Sequence, residues 1–409
     1  MFSSRHARPA PADVFTPTKL PLGENNAYVH RADTEADLVK FLERGQVPVV
    51  FGEYAVGKTT VVRRVLHHNG DDGKFVYVAT VAGKGMSDVL RVVLEKLGYK
   101  ITVQEMATEA HSSSAGAKLV LEGILAESRT KESVSRYVVD SPTDEKIARL
   151  LRDERMTIVI DELHRSSPEF RSELSDFIKA THGQESEYPR LVLIGTTPDA
   201  SNLVRQDAGI DRFVKELRVR PMTEAESNEL ISTGFASLGI AIDLQRVELV
   251  TRTCAGAPSL VQSICLDMAE NCVAAGRTEI LEEDYQKAVK AYLAENGHRL
   301  AQAYTAAIEH TGPRKYRKQI LVSMSRLDDD FPELEVIRKE IQERTGERVE
   351  QTALSGPLRR LKEEPDGILQ DVATRSGGRV YNVSAFRDPM MKSFIRFMSA
   401  LESQGLVGD

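Results

Sequence analysis

Two short runs in this sequence carry the residue types needed to handle a triphosphate. The first is Gly52-Glu53-Tyr54-Ala55-Val56-Gly57-Lys58-Thr59, followed by Thr60, and it fits the pattern G-x-x-x-x-G-K-[ST]. Glycines let a backbone curl around phosphates so that successive N–H groups point inward. A helix opening at that point adds its partial positive charge. Lys58 would reach the β- and γ-phosphates, and the Thr59 hydroxyl would ligate Mg²⁺. The second run, Ile158-Val159-Ile160-Asp161-Glu162, is an apolar stretch ending in two carboxylates, which is costly unless they have a task. Asp161 can accept the water shell of Mg²⁺, and Glu162 can polarise an attacking water. Together the runs predict ATP and Mg²⁺ as ligands and hydrolysis of the γ-phosphate as the chemistry. A third run, Leu191–Gly195, ends in Thr196-Thr197. One of these hydroxyls could contact the attacking water or the γ-phosphate. Ordinary capping of the next segment is the alternative, and the choice between the two threonines stays open.

Such residues need strands to end on and helices to open from. Strand-like segments run at Val47–Phe51, Phe75–Thr80, Met156–Ile160, Leu191–Gly195 and Val214–Val219, with helical patterns such as Thr59–His67, Met86–Leu97 and Pro168–Thr181 between them. Short apolar strands alternating with helices predict an α/β fold with a parallel sheet covered on both faces. A carboxylate pair downstream of a phosphate loop selects the P-loop branch with an extra strand between the two motifs. Residues 103–142 are polar and rich in Ser and Glu; they read as a helical insertion with a Ser-rich loop at His111–Ser114 and carry no functional reading. The chain divides into four domains: a flexible tail over 1–24, a P-loop core over 25–221, an all-α lid over 222–298, and a C-terminal module over 299–409. In that module three helical segments precede a β-like stretch with a two-glycine tip, the order of a winged helix.

Bulk properties narrow the class. The chain has 409 residues, 41% hydrophobic and 28% charged, with a formal net charge of −7. That length exceeds one ordinary core, and the composition is that of a globular protein. No apolar run approaches the ~20 residues of a membrane span, and the N-terminus has no signal-peptide pattern, so no membrane partner and a cytoplasmic location are expected. Cys254, Cys265 and Cys272 lack the close pairing of a zinc site and read as buried thiols. The negative charge argues against wholesale coating of nucleic acid but permits a local basic patch.

In order, VVFGEYAVGKTT, TIVIDELHR, LVLIGTTPD and DRFVKELRVRPMTEAE resemble the AAA+ ATPases over about residues 28–275. Within them the likeness is to the initiator-like clade: origin-binding ATPases, transposon target-selection ATPases and the related STAND NTPases. The resemblance implies a homo-oligomer in which Arg212 matches the arginine finger that reaches a neighbour's nucleotide, with Arg205 as the alternative. It also implies that Tyr28-Val29-His30-Arg31 lies over the adenine. The lid turn Cys254-Ala255-Gly256-Ala257-Pro258 lacks the sensor arginine of many relatives and looks like the Gly-x-Pro turn of STAND NTPases, which favours a slow switch.

In the C-terminal module, Arg359 and Arg360 on the third helix and Arg375 and Arg379 at the hairpin tip are the nucleic-acid candidates. The nearby acids Glu363, Glu364, Asp366 and Asp371 leave the module nearly charge-balanced. Duplex DNA and a partner effector protein both stay open as targets. The main reading is an ATP-driven switch controlling a DNA transaction or an effector. Its rivals are a STAND-type ATP sensor with little turnover and a loader that places another protein on DNA.

Overall fold

The computed structural model describes residues 8–23, 25–52, 55–69, 74–81, 83–103, 119–123, 136–139, 145–182, 188–195, 208–296, 298–309, 316–327, 332–363, 367–376, 379–388 and 390–405. The chain divides into two compact bodies. One comprises residues 30–52 and 58–219, the other residues 1–29, 53–57 and 220–409.

The first body holds, in chain order, α1 (Ala32–Glu43), β1 (Val47–Phe51), α2 (Lys58–His68), β2 (Phe75–Ala79), α3 (Met86–Lys96), β3 (Tyr99–Val103), β4 (Leu119–Gly123), β5 (Arg136–Val139), α4 (Glu145–Asp153), β6 (Thr157–Asp161), α5 (Pro168–Thr181), β7 (Arg190–Ile194) and β8 (Val214–Arg218). Five strands form one parallel sheet in the order β2-β6-β7-β1-β8. The strand after the acidic pair, β7, therefore lies between β1 and β6, as the expected P-loop branch requires.

Period-two patterning divides the strands between two buried layers. Val47 and Val49, Val76 and Val78, Ile158 and Ile160, and Leu191 and Leu193 face α3 and α5 in one cluster with Val93, Leu94, Phe170 and Phe177. Val50, Val159, Val192 and Ile194 are buried as well, so the central strands are apolar on both sides. α5 starts where the sequence says it should: Ser167 Oγ accepts from Phe170 N at 3.2 Å, and Pro168 occupies the first helical position.

Where residues 103–142 are described they are strand and not the expected helix, while the loop expected at His111–Ser114 lies outside the described residues. β3, β4 and β5 pair antiparallel as a small separate sheet, with Tyr99 opposite Gly123 and Leu119 opposite Val139. The runs YKITV and RYVV are rich in β-branched and aromatic residues, and LVLEG opens on three apolar ones. At four or five residues each they are too short for periodicity to separate strand from helix, and the polar stretches between them bias a reading toward helix.

The second body carries a helical bundle of α6 (Glu224–Leu238), α7 (Leu244–Cys254), α8 (Pro258–Ala274) and α9 (Glu282–Asn296). Thr223 and Glu226 close a reciprocal cap at the start of α6. Cys254, Cys265 and Cys272 are buried in this bundle, where burial pushes their thiols up. Beyond the bundle come α10 (His298–Ile308), α11 (Tyr316–Arg326), α12 (Leu334–Thr345) and α13 (Gln351–Arg360), the antiparallel hairpin of β9 (Leu369–Ser376) and β10 (Arg379–Phe386), and α14 (Met390–Ser403). Helix α14 contributes Met391, Phe394 and Ile395 to the core of the C-terminal module and Phe397 and Leu401 to the core of the helical bundle.

The flexible tail expected over 1–24 is also corrected across its described residues, 8–23. Val14 and Phe15 are fully buried in the bundle core. The Phe15 ring lies 5.1 Å from that of Phe235, Thr16 N donates to Gln262 Oε1 at 2.8 Å, and Gln262 Nε2 donates to Ala27 O at 2.7 Å. Two apolar residues in a proline-rich run have no period, so this anchoring is purely tertiary and leaves no local signal. No helix among the described residues is long and apolar enough to cross a membrane.

Candidate nucleotide site

The carboxyl ends of β1 and β6 bring the two motifs together. Gly52 leaves β1 with φ +148, and a Cβ built on it would come within 2.1 Å of the Val219 carbonyl oxygen, so glycine is required there. Glu53 and Tyr54 lie outside the described residues. Ala55 has positive φ and Val56 is buried; Gly57 lies in the same body as Pro258, whose Cγ stands 3.6 Å from the position a Gly57 Cβ would take. Lys58, Thr59 and Thr60 open α2. The Lys58 ammonium donates to the Gly52 carbonyl oxygen at 3.1 Å.

Across the sheet, Asp161 ends β6 and is only 5% exposed. Its Oδ2 accepts from the Thr59 hydroxyl at 2.7 Å and from the Tyr77 hydroxyl, and its Oδ1 accepts from Glu162 N at 2.6 Å. Burial, with the Asp161 carboxylate beside it, pushes the Tyr77 phenol well above its ordinary value. Glu162 adopts a left-handed conformation, φ 59 and ψ 34, which costs a non-glycine residue of order 1–3 kcal/mol. Thr80 holds that turn: its hydroxyl is 2.9 Å from Asp161 O and 2.7 Å from Glu162 O.

A hydroxyl and a carboxylate oxygen meeting beside a lysine are a hard-cation and phosphate donor set. Among the described residues there is no cluster of three or more His, Cys, Asp or Glu that could hold a metal. Two protein oxygens with the remaining positions left to water and phosphates suit Mg²⁺.

The other sequence candidates fall elsewhere. Arg31 is the N-cap of α1, where its backbone N–H donates to Glu35 Oε1 at 2.9 Å. Arg212 is exposed, its guanidinium carbon 4.4 Å from the Phe213 ring centroid, immediately before β8. Thr196, Thr197 and Arg205 lie outside the described residues. On α13, Arg359 and Arg360 both pair with Glu363, at 3.6 and 2.8 Å, and Lys362 pairs with Asp371. Arg375 and Arg379 are placed in the hairpin by backbone register only, Val380 pairing with Arg375 and Arg379 with Ser376.

The family model described as an AAA domain matches residues 42–204, the span that contains both motifs and four of the five parallel strands. Solved structures similar to the chain include Cdc6p from Pyrobaculum aerophilum, at 15% identity and TM-score 0.47 over 97% of this chain and 99% of that one. The Aeropyrum pernix ORC1 protein in complex with DNA is similar at 16% identity and TM-score 0.48, over 97% and 98%. The Walker-type ATPase PABY2304 of Pyrococcus abyssi is similar at 13% identity and TM-score 0.48, over 90% and 96%. No curated protein sequence matches the chain.

Two residues of the matched span touch the candidate site without having been singled out from sequence, Tyr77 and Thr80. Their strand, FVYVAT, reads as buried β-structure, and the alternation of Tyr77 against Val76 and Val78 was the available signal that its side chain faces the other layer.

Proposed function

We propose that the chain is an ATP-binding and ATP-hydrolysing AAA+ switch of the initiator-like type, with Mg²⁺ as its metal. The observation that carries this reading is the 2.7 Å hydrogen bond from Thr59 to Asp161, residues 102 positions apart. Lys58, whose ammonium donates to the Gly52 carbonyl, would turn to the β- and γ-phosphates. Thr59 and Asp161 would hold Mg²⁺, which when bound neutralises phosphate charge. Glu162 would take the proton of the attacking water, its direction fixed by the left-handed turn and by Thr80. Arg31 and Pro258 would border the base and the phosphate loop, and one of Thr196 and Thr197 would read the γ-phosphate.

Arg212 would act on a neighbouring subunit's nucleotide in a homo-oligomer; its exposure and its position before the edge strand support that role. Residues 299–409 would form a winged helix. Pairing of Arg359, Arg360 and Lys362 with local acids favours a module that contacts an effector protein over one that grips duplex DNA. The turn at Pro258, without a following arginine, favours slow turnover.

Lys58→Ala is expected to abolish binding of a fluorescent ATP analogue, and Glu162→Gln to retain binding while losing hydrolysis. Unchanged affinity in the first variant would remove the phosphate-loop assignment. Steady-state hydrolysis with and without duplex DNA separates the readings. Strong DNA stimulation favours a loader, and negligible turnover with tight ATP retention favours a sensor.

A further inference from the structure

Tyr77 sits in the middle of β2, paired with Val159, two residues short of Asp161 along the adjacent strand. Val76 and Val78 point into the layer of α3 and α5, so Tyr77 faces the opposite layer, the one that holds α2. Its long side chain covers the two-residue offset and ends with the hydroxyl donating to Asp161 Oδ2. That same oxygen accepts from Thr59. Both lone pairs of Oδ2 are therefore engaged, Oδ1 is tied to the Glu162 backbone, and the carboxylate is fixed in rotation. Arg63, one helical turn beyond Thr59 on α2, places its guanidinium carbon 5.5 Å from the Tyr77 ring centroid. The cation over the ring holds the phenol in place.

From this geometry we infer that Tyr77 is a positioning residue for the metal: its hydroxyl presets the Asp161 carboxylate, alongside Thr59, to receive the Mg²⁺ of a bound nucleotide. The inference rests on the proposed nucleotide site and adds to it a residue outside both motifs. Partners that orient a metal-binding carboxylate commonly contribute 10–100-fold to metal affinity. Tyr77 is half-buried, and Phe in its place keeps the ring and the contact with Arg63 while deleting one oxygen.

The test is equilibrium binding of a fluorescent ADP analogue to the full chain, in EDTA and across a Mg²⁺ series. Tyr77→Phe is expected to leave the EDTA affinity unchanged and to raise the Mg²⁺ concentration for half-maximal effect about tenfold. A Mg²⁺ curve identical to wild type, or an equal loss of affinity in EDTA, overturns the inference. Should Tyr77→Phe fail to fold, Tyr77→Met takes its place. That variant keeps a long apolar side chain and deletes the hydroxyl, so a shifted Mg²⁺ curve with the EDTA affinity intact supports the role and an unshifted one overturns it. A wild-type chain that binds no analogue overturns the nucleotide site and Tyr77 together. Mg²⁺-dependent wild-type binding with no change in the variant overturns Tyr77 alone.

Discussion

Arg212 precedes β8 at its amino end, whereas Lys58 follows β1, the parallel neighbour of β8, beyond its carboxyl end. Five residues of strand separate the two levels, roughly 17 Å at ~3.3 Å per residue. An arginine so placed cannot serve the phosphate loop of its own chain, which supports a role in trans. Arg212→Ala is expected to leave nucleotide affinity nearly intact and to slow hydrolysis, by up to roughly 10³–10⁵-fold where such fingers are strongest. Mixing it with Glu162→Gln subunits should restore part of the activity, since each supplies what the other lacks. No recovery at any mixing ratio would count against the finger or the oligomer.

Thr80 spans the two carbonyls that shape the Glu162 turn. Thr80→Val keeps the volume and removes the donor, leaving buried oxygens without it at a cost of about 1–3 kcal/mol. Thermal or denaturant unfolding measures that loss. Turnover is expected to fall while affinity for the ATP analogue holds, because only Glu162 loses its support.

His182 gives the first body an acid-side sensitivity. Burial pushes its imidazole down to about 4 from an ordinary 6.5. Nδ1 lies 2.8 Å from the Thr181 hydroxyl, and Nε2 has no hydrogen-bond partner among the described residues. Above pH 6.5 the ring is neutral in both folded and unfolded chains and adds nothing. As pH falls from 6.5 toward 4 the unfolded chain takes up a proton that the folded ring resists, so stability is lost, by about 3 kcal/mol in all. Melting curves across that window should fall more steeply for wild type than for His182→Phe. Equal slopes would remove His182 from the acid response.

Gly234 lies on α6 against the N-terminal segment. A Cβ there would come within 2.4 Å of Phe15 Cε1, an aromatic edge already held against Phe235. Gly234→Ala is expected to destabilise the second body by about 1–3 kcal/mol through overpacking. Phe15→Leu in the same chain should recover part of the loss, and a double variant no more stable than the single one would argue against the contact.

Legibility in the sequence tracked local signal. The five parallel strands were readable because each is an apolar run with a turn or motif at its end, and Asp161 and Thr59 because their chemistry has a fixed spacing from glycine or from strand end. Tyr77 was not readable as a site residue: aromatic residues are common in strands, and its reach to Asp161 depends on the register of β2 against β6. β3, β4 and β5 were hidden by brevity, and Phe15 by a contact made with helices more than two hundred positions away. Charge pairing at the end of α13 was partly readable, since Glu363 follows Arg359 and Arg360 by four and three residues.

Helix α14 belongs to two cores at once, with Phe394 and Ile395 serving one and Phe397 and Leu401 the other. The hydroxyl of Tyr285, on α9, adds a polar clasp by donating to Gln404 Oε1 at 2.8 Å. Separating the helical bundle from the C-terminal module would therefore open both cores. A gene fusion that joined a foreign C-terminal module at residue 299 would remove two apolar plugs from the bundle it was meant to keep. Transplanting residues 299–409 alone would carry those same two side chains into water.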